Sequence, residues 1–208
     1  MIKIEPIKAF SDNYIWLVTT NEGSIVIDPG EADQTVNFLK ENGLTLEAIL
    51  ITHHHFDHTG GIEDMLLFKD VDVYGPVNNI SSINKQLMNG NLINVIGIDF
   101  QVIEIPGHTL DHIAFYSETF EEPILFCGDT LFNAGVGRCD FGGEPKVLYN
   151  TFVEQIFPLS DDVRIFPGHD YIQNNLEFTL DREPDNQSAI DLRTEFQEGL
   201  DAESFVSN

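Results

Sequence analysis

Apolar residues fall in short runs along this chain, each closed by glycine, proline or small polar residues, which is the pattern of buried strands joined by tight turns. Ile2, Ile4 and Ile7 open an alternating segment, and after a Ser11-Asp12-Asn13 turn the run from Tyr14 to Val18 predicts a second strand. Asn21-Glu22-Gly23 predicts a hairpin turn into the strand from Ser24 to Asp28, which Pro29-Gly30 ends. Val36, Phe38 and Leu39 predict a first helix over Asp33 to Lys40, stopped near Asn42-Gly43. Ala48 to Ile51 reads as a buried strand, Ile62 to Phe68 as a short helix and Val71 to Tyr74 as a strand. Asn78 to Asn94 is polar and poorly periodic, with partial helix the expectation. Phe100 to Ile105, Ile113 to Tyr116, Ile124 to Cys127 and Val163 to Phe166 predict further strands, and Pro145 to Ile156 and Tyr171 to Leu180 predict helices. The order is compatible with an α+β protein in which two sheets pack face to face under helices, although periodicity alone does not select it. A catalytic domain over 1–180 and a short acidic tail over 181–208, helical and then frayed, is the expected division.

Four of the strand ends carry metal-ligand chemistry. Thr52-His53-His54-His55-Phe56-Asp57-His58-Thr59 follows the run from Ala48 to Ile51 and places His53, His55, Asp57 and His58 within six positions. His108 follows the run ending at Ile105, Asp129 the run ending at Cys127, and His169 the run ending at Phe166. A glycine precedes each of these three, as expected where the chain turns sharply or passes close to another group. Imidazoles mixed with carboxylates form a nitrogen and oxygen donor set that suits zinc, iron or manganese. Seven such donors are too many for one tetrahedral ion and suit two ions sharing a carboxylate.

The pattern H-x-H-x-D-H over 53–58, followed by Gly107-His108-Thr109, Gly128-Asp129-Thr130 and Gly168-His169, resembles the metallo-β-lactamase superfamily of binuclear hydrolases. Phe10-Ser11-Asp12-Asn13-Tyr14-Ile15-Trp16, Gly168-His169-Asp170-Tyr171 and Asn175-Leu176-Glu177-Phe178 are similar to its glyoxalase II branch, the hydroxyacylglutathione hydrolases, so that the resemblance covers roughly residues 1 to 185. It implies a four-layer αβ/βα sandwich with the ligand loops along one edge. It further implies that His53, His55 and His108 hold one divalent ion, that Asp57, His58 and His169 hold a second, and that Asp129 bridges them. Zinc is the first expectation, with iron and manganese accepting the same donors. A hydroxide between the ions would attack the carbonyl of a thioester of the S-D-lactoylglutathione type, releasing the thiol and a 2-hydroxy acid, with Asp57 the side chain that also orients the nucleophile.

The same resemblance matches Arg138 to the basic residue beside the glutathione carboxylate and Tyr171 to a pocket tyrosine, with Lys146 nearby in sequence. Cys139-Asp140 stand where the family has aromatic residues, and no basic pair matches the family's further glutathione contacts before Asn208. A related thiol carrier therefore fits the motifs as well. Thr52, Thr109 and Asp28 are candidates for holding the imidazoles, Asp28 with a structural role preferred. His54 reads as solvated or packed and His112 as structural. A one-iron glutathione persulfide dioxygenase on the same scaffold is the alternative, against which the complete donor set argues; a lactam hydrolase is another, disfavoured by the bridging Asp129.

Charge narrows the partners. The 208-residue chain has 35 Asp and Glu against 10 Lys and Arg, a formal net charge of −25, and such a surface repels nucleic acid and anionic lipid. No apolar segment suggests a membrane span and Met1 to Pro6 lacks the basic and apolar regions of a signal peptide, so a cytoplasmic protein acting on a small molecule is expected. The two cysteines, Cys127 and Cys139, are too few for a disulfide framework, and Cys127 reads as core.

Overall fold

The computed structural model describes residues 2–197 of the chain. The first sheet holds six strands in chain order: β1 (Lys3–Ala9), β2 (Asn13–Thr20), β3 (Gly23–Ile27), β4 (Leu46–Leu50), β5 (Asp72–Pro76) and β6 (Lys85–Leu87). The first three pair antiparallel and the rest parallel. Next come β7 (Leu92–Val95), β8 (Ile98–Glu104), β9 (Ile113–Ser117), β10 (Ile124–Gly128), the small hairpin β11 (Leu131–Phe132) with β12 (Gly135–Val136), and β13 (Arg164–Pro167). The second sheet has the order β13-β10-β9-β8-β7. Helices are α1 (Asp33–Glu41), α2 (Phe56–Thr59), α3 (Ile62–Phe68), α4 (Pro145–Thr151), α5 (Ile172–Arg182) and α6 (Gln187–Gln197).

Alternation along the strands builds the layers. On β2, Trp16 and Val18 turn toward Phe100, Val102, Phe115 and Phe126 of the second sheet. Ile15 and Leu17, one position out of phase, join Leu39 of α1 and Met65 of α3. Ile103, Leu125 and Cys127 form the outer face of the second sheet, covered by Ile156 and Leu159. The result is helix, sheet, sheet, helix. Strands such as β2 and β4 are covered on both faces, which is why they read as unbroken apolar runs.

Strand direction gathers the ligand loops. β3 and β4 run parallel, so Asp28 and the His53 loop leave the first sheet at one edge. β8 is antiparallel to β9, β9 to β10, and β10 is parallel to β13, so His108, Asp129 and His169 all follow strands ending at one edge of the second sheet. Bonds between the sheets bring the two edges together. The Trp16 indole donates to the Pro167 carbonyl at 2.8 Å, and the amides of Ile113 and Tyr14 donate to the carbonyls of Thr52 at 2.9 Å and Gly168 at 2.8 Å.

Two expectations need correction. Asn78 to Asn94 contains no helix; it supplies β6 and β7 on either side of a turn. Two of its asparagines bond backbone locally, Asn78 Oδ1 accepting from the Ile80 amide and Asn91 Oδ1 from the Met88 amide, a competition that turns win over helix, while Asn84 Oδ1 accepts from the Val73 amide of β5. The helix from Pro145 does start at its proline, but beyond Thr151 it widens into a π-helical turn over Phe152–Ile156. In the tail, α6 packs Ala189 against Ile172 and Leu176 of α5; the frayed end expected beyond it lies outside the described residues. Among the described residues no helix is long and apolar enough to cross a membrane.

Candidate metal centre

Past β4 the chain bends at Thr52; beyond it His53 and His55 turn their donors to one place while His54 is exposed. Helix α2 then starts at Phe56 and carries Asp57 and His58 in its single turn. The second sheet delivers the partners. Donor atoms of His53, His55 and His108 lie within 4.8 Å of one another, as do those of Asp57, His58 and His169. Asp129 stands between the two trios: its Oδ2 is 3.4 Å from His108 Nε2 and 3.2 Å from His169 Nε2, and its Oδ1 is 3.3 Å from His58 Nε2. The structure thus brings all seven predicted donors to one place. Asp28, His53 and His58 also form a close trio, but both Asp28 oxygens already accept hydrogen bonds, which makes this carboxylate an orienting group.

Each imidazole is fixed through its other nitrogen. The Thr52 hydroxyl donates to Asp28 Oδ2 at 2.6 Å, so it accepts from His53 Nδ1 at 3.0 Å. His58 Nδ1 donates to Asp28 Oδ2 at 3.1 Å, and His169 Nδ1 to Asp12 Oδ1 at 2.8 Å. His55 Nε2 donates to the Phe141 carbonyl at 3.1 Å and His108 Nδ1 to the Arg138 carbonyl at 2.6 Å. That leaves His55 Nδ1 and His108 Nε2 facing each other at 3.0 Å. Close-approach glycines complete the frame. A Cβ on Gly168 would sit 2.4 Å from Asp129 Oδ1, and Gly128 turns at φ +47° with Thr52 Oγ1 only 2.4 Å from where a Cβ would stand.

These atoms fit a cation. Buried His53 Nε2 has no hydrogen-bond partner, and His58 Nε2 and Asp129 Oδ1, 3.3 Å apart, make no well-formed hydrogen bond, a costly state for polar groups that a divalent ion would relieve. His55 Nδ1 and His108 Nε2, 3.0 Å apart, would turn to the same kind of ion. The electrostatics agree. Burial disfavours charge on His58 and His169, yet Asp129, with Asp28 and Asp57, raises the first well above its ordinary value and the second to about 10. Burial works against Asp57 and Asp129 as anions, but the same imidazoles hold both well below the carboxylate range. His112 goes the other way: burial pushes it down to about 3, so it stays neutral, stacked on His53 at 4.5 Å and accepting the Asp129 amide at 3.1 Å.

Around the rim the predictions divide. Tyr171 stacks on His169 with ring centroids 4.8 Å apart, and Arg138 is exposed with its guanidinium paired to Asp140. Lys146 lies over the Tyr149 ring instead, 4.7 Å from its centroid. Thr52 and Asp28 orient ligands, so Asp28 does more than end a strand, whereas the Thr109 hydroxyl bonds none of these imidazoles among the described residues. His54 is exposed and its Nδ1 donates to Asp111 Oδ1 at 2.7 Å. Sequence reasoning missed Asp12 and Asn13, the latter donating to Asp57 Oδ2 at 3.0 Å, and the carbonyls of Arg138 and Phe141. The stretch from Phe10 to Trp16 carries part of the family resemblance, but nothing in it names a ligand on another loop.

Comparison with known proteins agrees with this geometry. The metallo-beta-lactamase superfamily model matches residues 10–169. A hydroxyacylglutathione hydrolase of Idiomarina loihiensis is 43% identical over 188 residues, 89% of this chain and 72% of the relative. Another, of Hahella chejuensis, is 43% identical over 180 residues, 86% of this chain and 69% of the relative. Among solved structures, ETHE1 from Myxococcus xanthus superposes with a TM-score of 0.71 at 31% identity, covering 82% of this chain and 76% of the other. A di-iron-bound form of TTHA1623 gives 0.66 at 30% identity, covering 79% and 91%.

Proposed function

We propose a function from one premise: this chain belongs to the metallo-β-lactamase superfamily and, within it, to the hydroxyacylglutathione hydrolases. It is a metal-dependent thioester hydrolase, and we assign it thioesters of the S-D-lactoylglutathione type, cleaved to the free thiol and a 2-hydroxy acid. The observation that carries this reading is Asp129 standing between two trios of donors drawn from both sheets. His53, His55 and His108 would hold one divalent cation, Asp57, His58 and His169 the other, and Asp129 would be shared, all within the proposed catalytic domain of residues 1–180. Zinc is our assignment, and iron and manganese accept the same donors.

When bound, such a pair supplies Lewis acidity that makes water acidic at neutral pH and polarises a carbonyl. The chain's own residues do the rest. Five second-nitrogen hydrogen bonds fix ring orientation, so the donors need no rearrangement. Asp57, ionised and held by Asn13, is the side chain we assign to orient the attacking oxygen. We assign Tyr171, stacked on His169, and Arg138, whose carbonyl holds His108, to the thiol half, and a thiolate departs with little help from an acid. With a net charge of −25 we propose a small-molecule substrate rather than nucleic acid or membrane, and a cytoplasmic location.

Metal-reconstituted protein should release thiol from S-D-lactoylglutathione and carry two ions per chain, and Asp129→Ala should abolish that release. Oxygen uptake with glutathione persulfide and one iron per chain would replace this reading with a dioxygenase. Hydrolysis of a lactam in preference to the thioester would replace it with another hydrolase.

A further inference from the structure

We propose that Asp140 is a specificity-determining residue of this site, neutralising the cation at its rim and so weakening the hold on thiols that carry carboxylates. The inference rests on the thioester reading above. Arg138 grips Asp140 with a bidentate fork, Nε donating to Oδ1 at 2.6 Å and Nη2 to Oδ2, and its guanidinium lies 4.6 Å from the Phe141 ring centroid. Both oxygens of Asp140 are therefore engaged with the one guanidinium.

That guanidinium is tied to the metal centre by its own backbone. The Arg138 carbonyl accepts from His108 Nδ1, and the Phe141 carbonyl, on the other side of Asp140, accepts from His55 Nε2. The four-residue segment from Arg138 to Phe141 is thus bound at both ends to imidazoles of one trio. Tyr171, stacked on His169, is within electrostatic reach of the same guanidinium. An anionic group reaching for Arg138 must compete with a carboxylate two residues away that is already in place. A thioester with an uncharged thiol half has nothing to lose there.

The surroundings do not compensate. The chain has 10 Lys and Arg for 35 Asp and Glu, and Lys146, the next cation along the chain, sits over the Tyr149 ring. Side chains of Arg138 and Asp140 are 66% and 56% exposed, so water and salt screen each charge, and removing Asp140 should change the affinity for an anionic thiol by about three- to ten-fold rather than by orders of magnitude.

Binding of S-methylglutathione, which cannot be hydrolysed as a thioester, tests the assignment by calorimetry on metal-loaded protein at two salt concentrations. Asp140→Asn, with Asp140→Ser as a second form, should bind it about three- to ten-fold more tightly than the parent and with a steeper salt dependence. Arg138→Gln combined with Asp140→Asn should return affinity to the parent value, because the gain needs the released guanidinium. In turnover, Asp140→Asn should lower KM for S-D-lactoylglutathione without changing kcat, and leave KM for the neutral S-lactoyl-N-acetylcysteamine unchanged. Unchanged or weaker binding of S-methylglutathione in both Asp140 variants, or a gain that persists without Arg138, would overturn the inference. Absence of turnover with either thioester would strike the hydrolase reading instead, while the calorimetry still decides the part played by Asp140.

Discussion

Asp28 holds one imidazole of each trio, and removing its carboxylate should therefore weaken both halves of the centre together. It accepts three hydrogen bonds: from the Thr52 amide at 2.8 Å, the Thr52 hydroxyl at 2.6 Å and His58 Nδ1 at 3.1 Å. Through the Thr52 hydroxyl it also fixes His53. Asp28→Ala leaves three buried donors without acceptors, each costing about 1–3 kcal/mol. It also puts alanine at φ +53°, a further cost of roughly 1–2 kcal/mol. The Thr52 hydroxyl can turn to another acceptor, so the total should be about 3–5 kcal/mol rather than the full sum. Urea unfolding in excess chelator reads this cost on the fold alone. Asp28→Asn keeps the backbone conformation and one acceptor oxygen but turns an NH2 toward a donor, and should lose about 1–3 kcal/mol. Chelator competition then reads the metal side, where loss of an outer partner costs about 10- to 100-fold in affinity, here for both ions. A loss below about 1 kcal/mol in Asp28→Ala with both metal affinities unchanged would refute the reasoning.

Two further substitutions probe the same frame. Gly168→Ala pushes a methyl to within 2.4 Å of Asp129 Oδ1 and 2.6 Å of His58 Cε1, so thiol release should fall by about 100-fold or more, as expected for a displacement of about 1 Å; steady-state kinetics with metal analysis would show it, and an active variant with two ions bound would contradict the close approach. His53→Ala should lose metal and turnover, whereas His54→Ala, an exposed neighbour bonded to Asp111, should keep two ions and lose less than about 10-fold in kcat/KM; equal losses in the two would mean that alternation along this stretch does not sort ligand from bystander.

The ligands were legible because a chain must place them at strand ends. Each stands where an apolar run gives way to glycine or hydroxyl residues, and that local contrast survives in a single sequence. Of the groups that orient them, Thr52 and Asp28 stand beside the ligands or at a strand end and were named as candidates, while the rest left no comparable trace. Asp12 acts on His169, 157 positions away, and the partners of His55 and His108 are backbone carbonyls that any residue would supply. Likewise the two-sheet arrangement follows from pairings such as β10 with β13, separated by the whole of α4 and its π turn, which no local periodicity encodes. Asn78 to Asn94 failed for a related reason: edge strands like β6 and β7 have one open side and mixed polarity, so alternation there is faint.

Each trio takes donors from both sheets, and that has a consequence for stability as well as chemistry. His53 and His55 leave β4 in the first sheet while His108 leaves β8 in the second; Asp57 and His58 follow β4 while His169 follows β13. Cations held this way would pin the two sheets at the edge where the core of Trp16, Phe126 and Phe166 comes to an end. The same edge is also held by cross-sheet hydrogen bonds, from Trp16 to Pro167, Ile113 to Thr52, Tyr14 to Gly168 and Asp170 to Asp12. The free energy of binding such cations would add to the stability of the sandwich, because the unfolded chain gathers no such site.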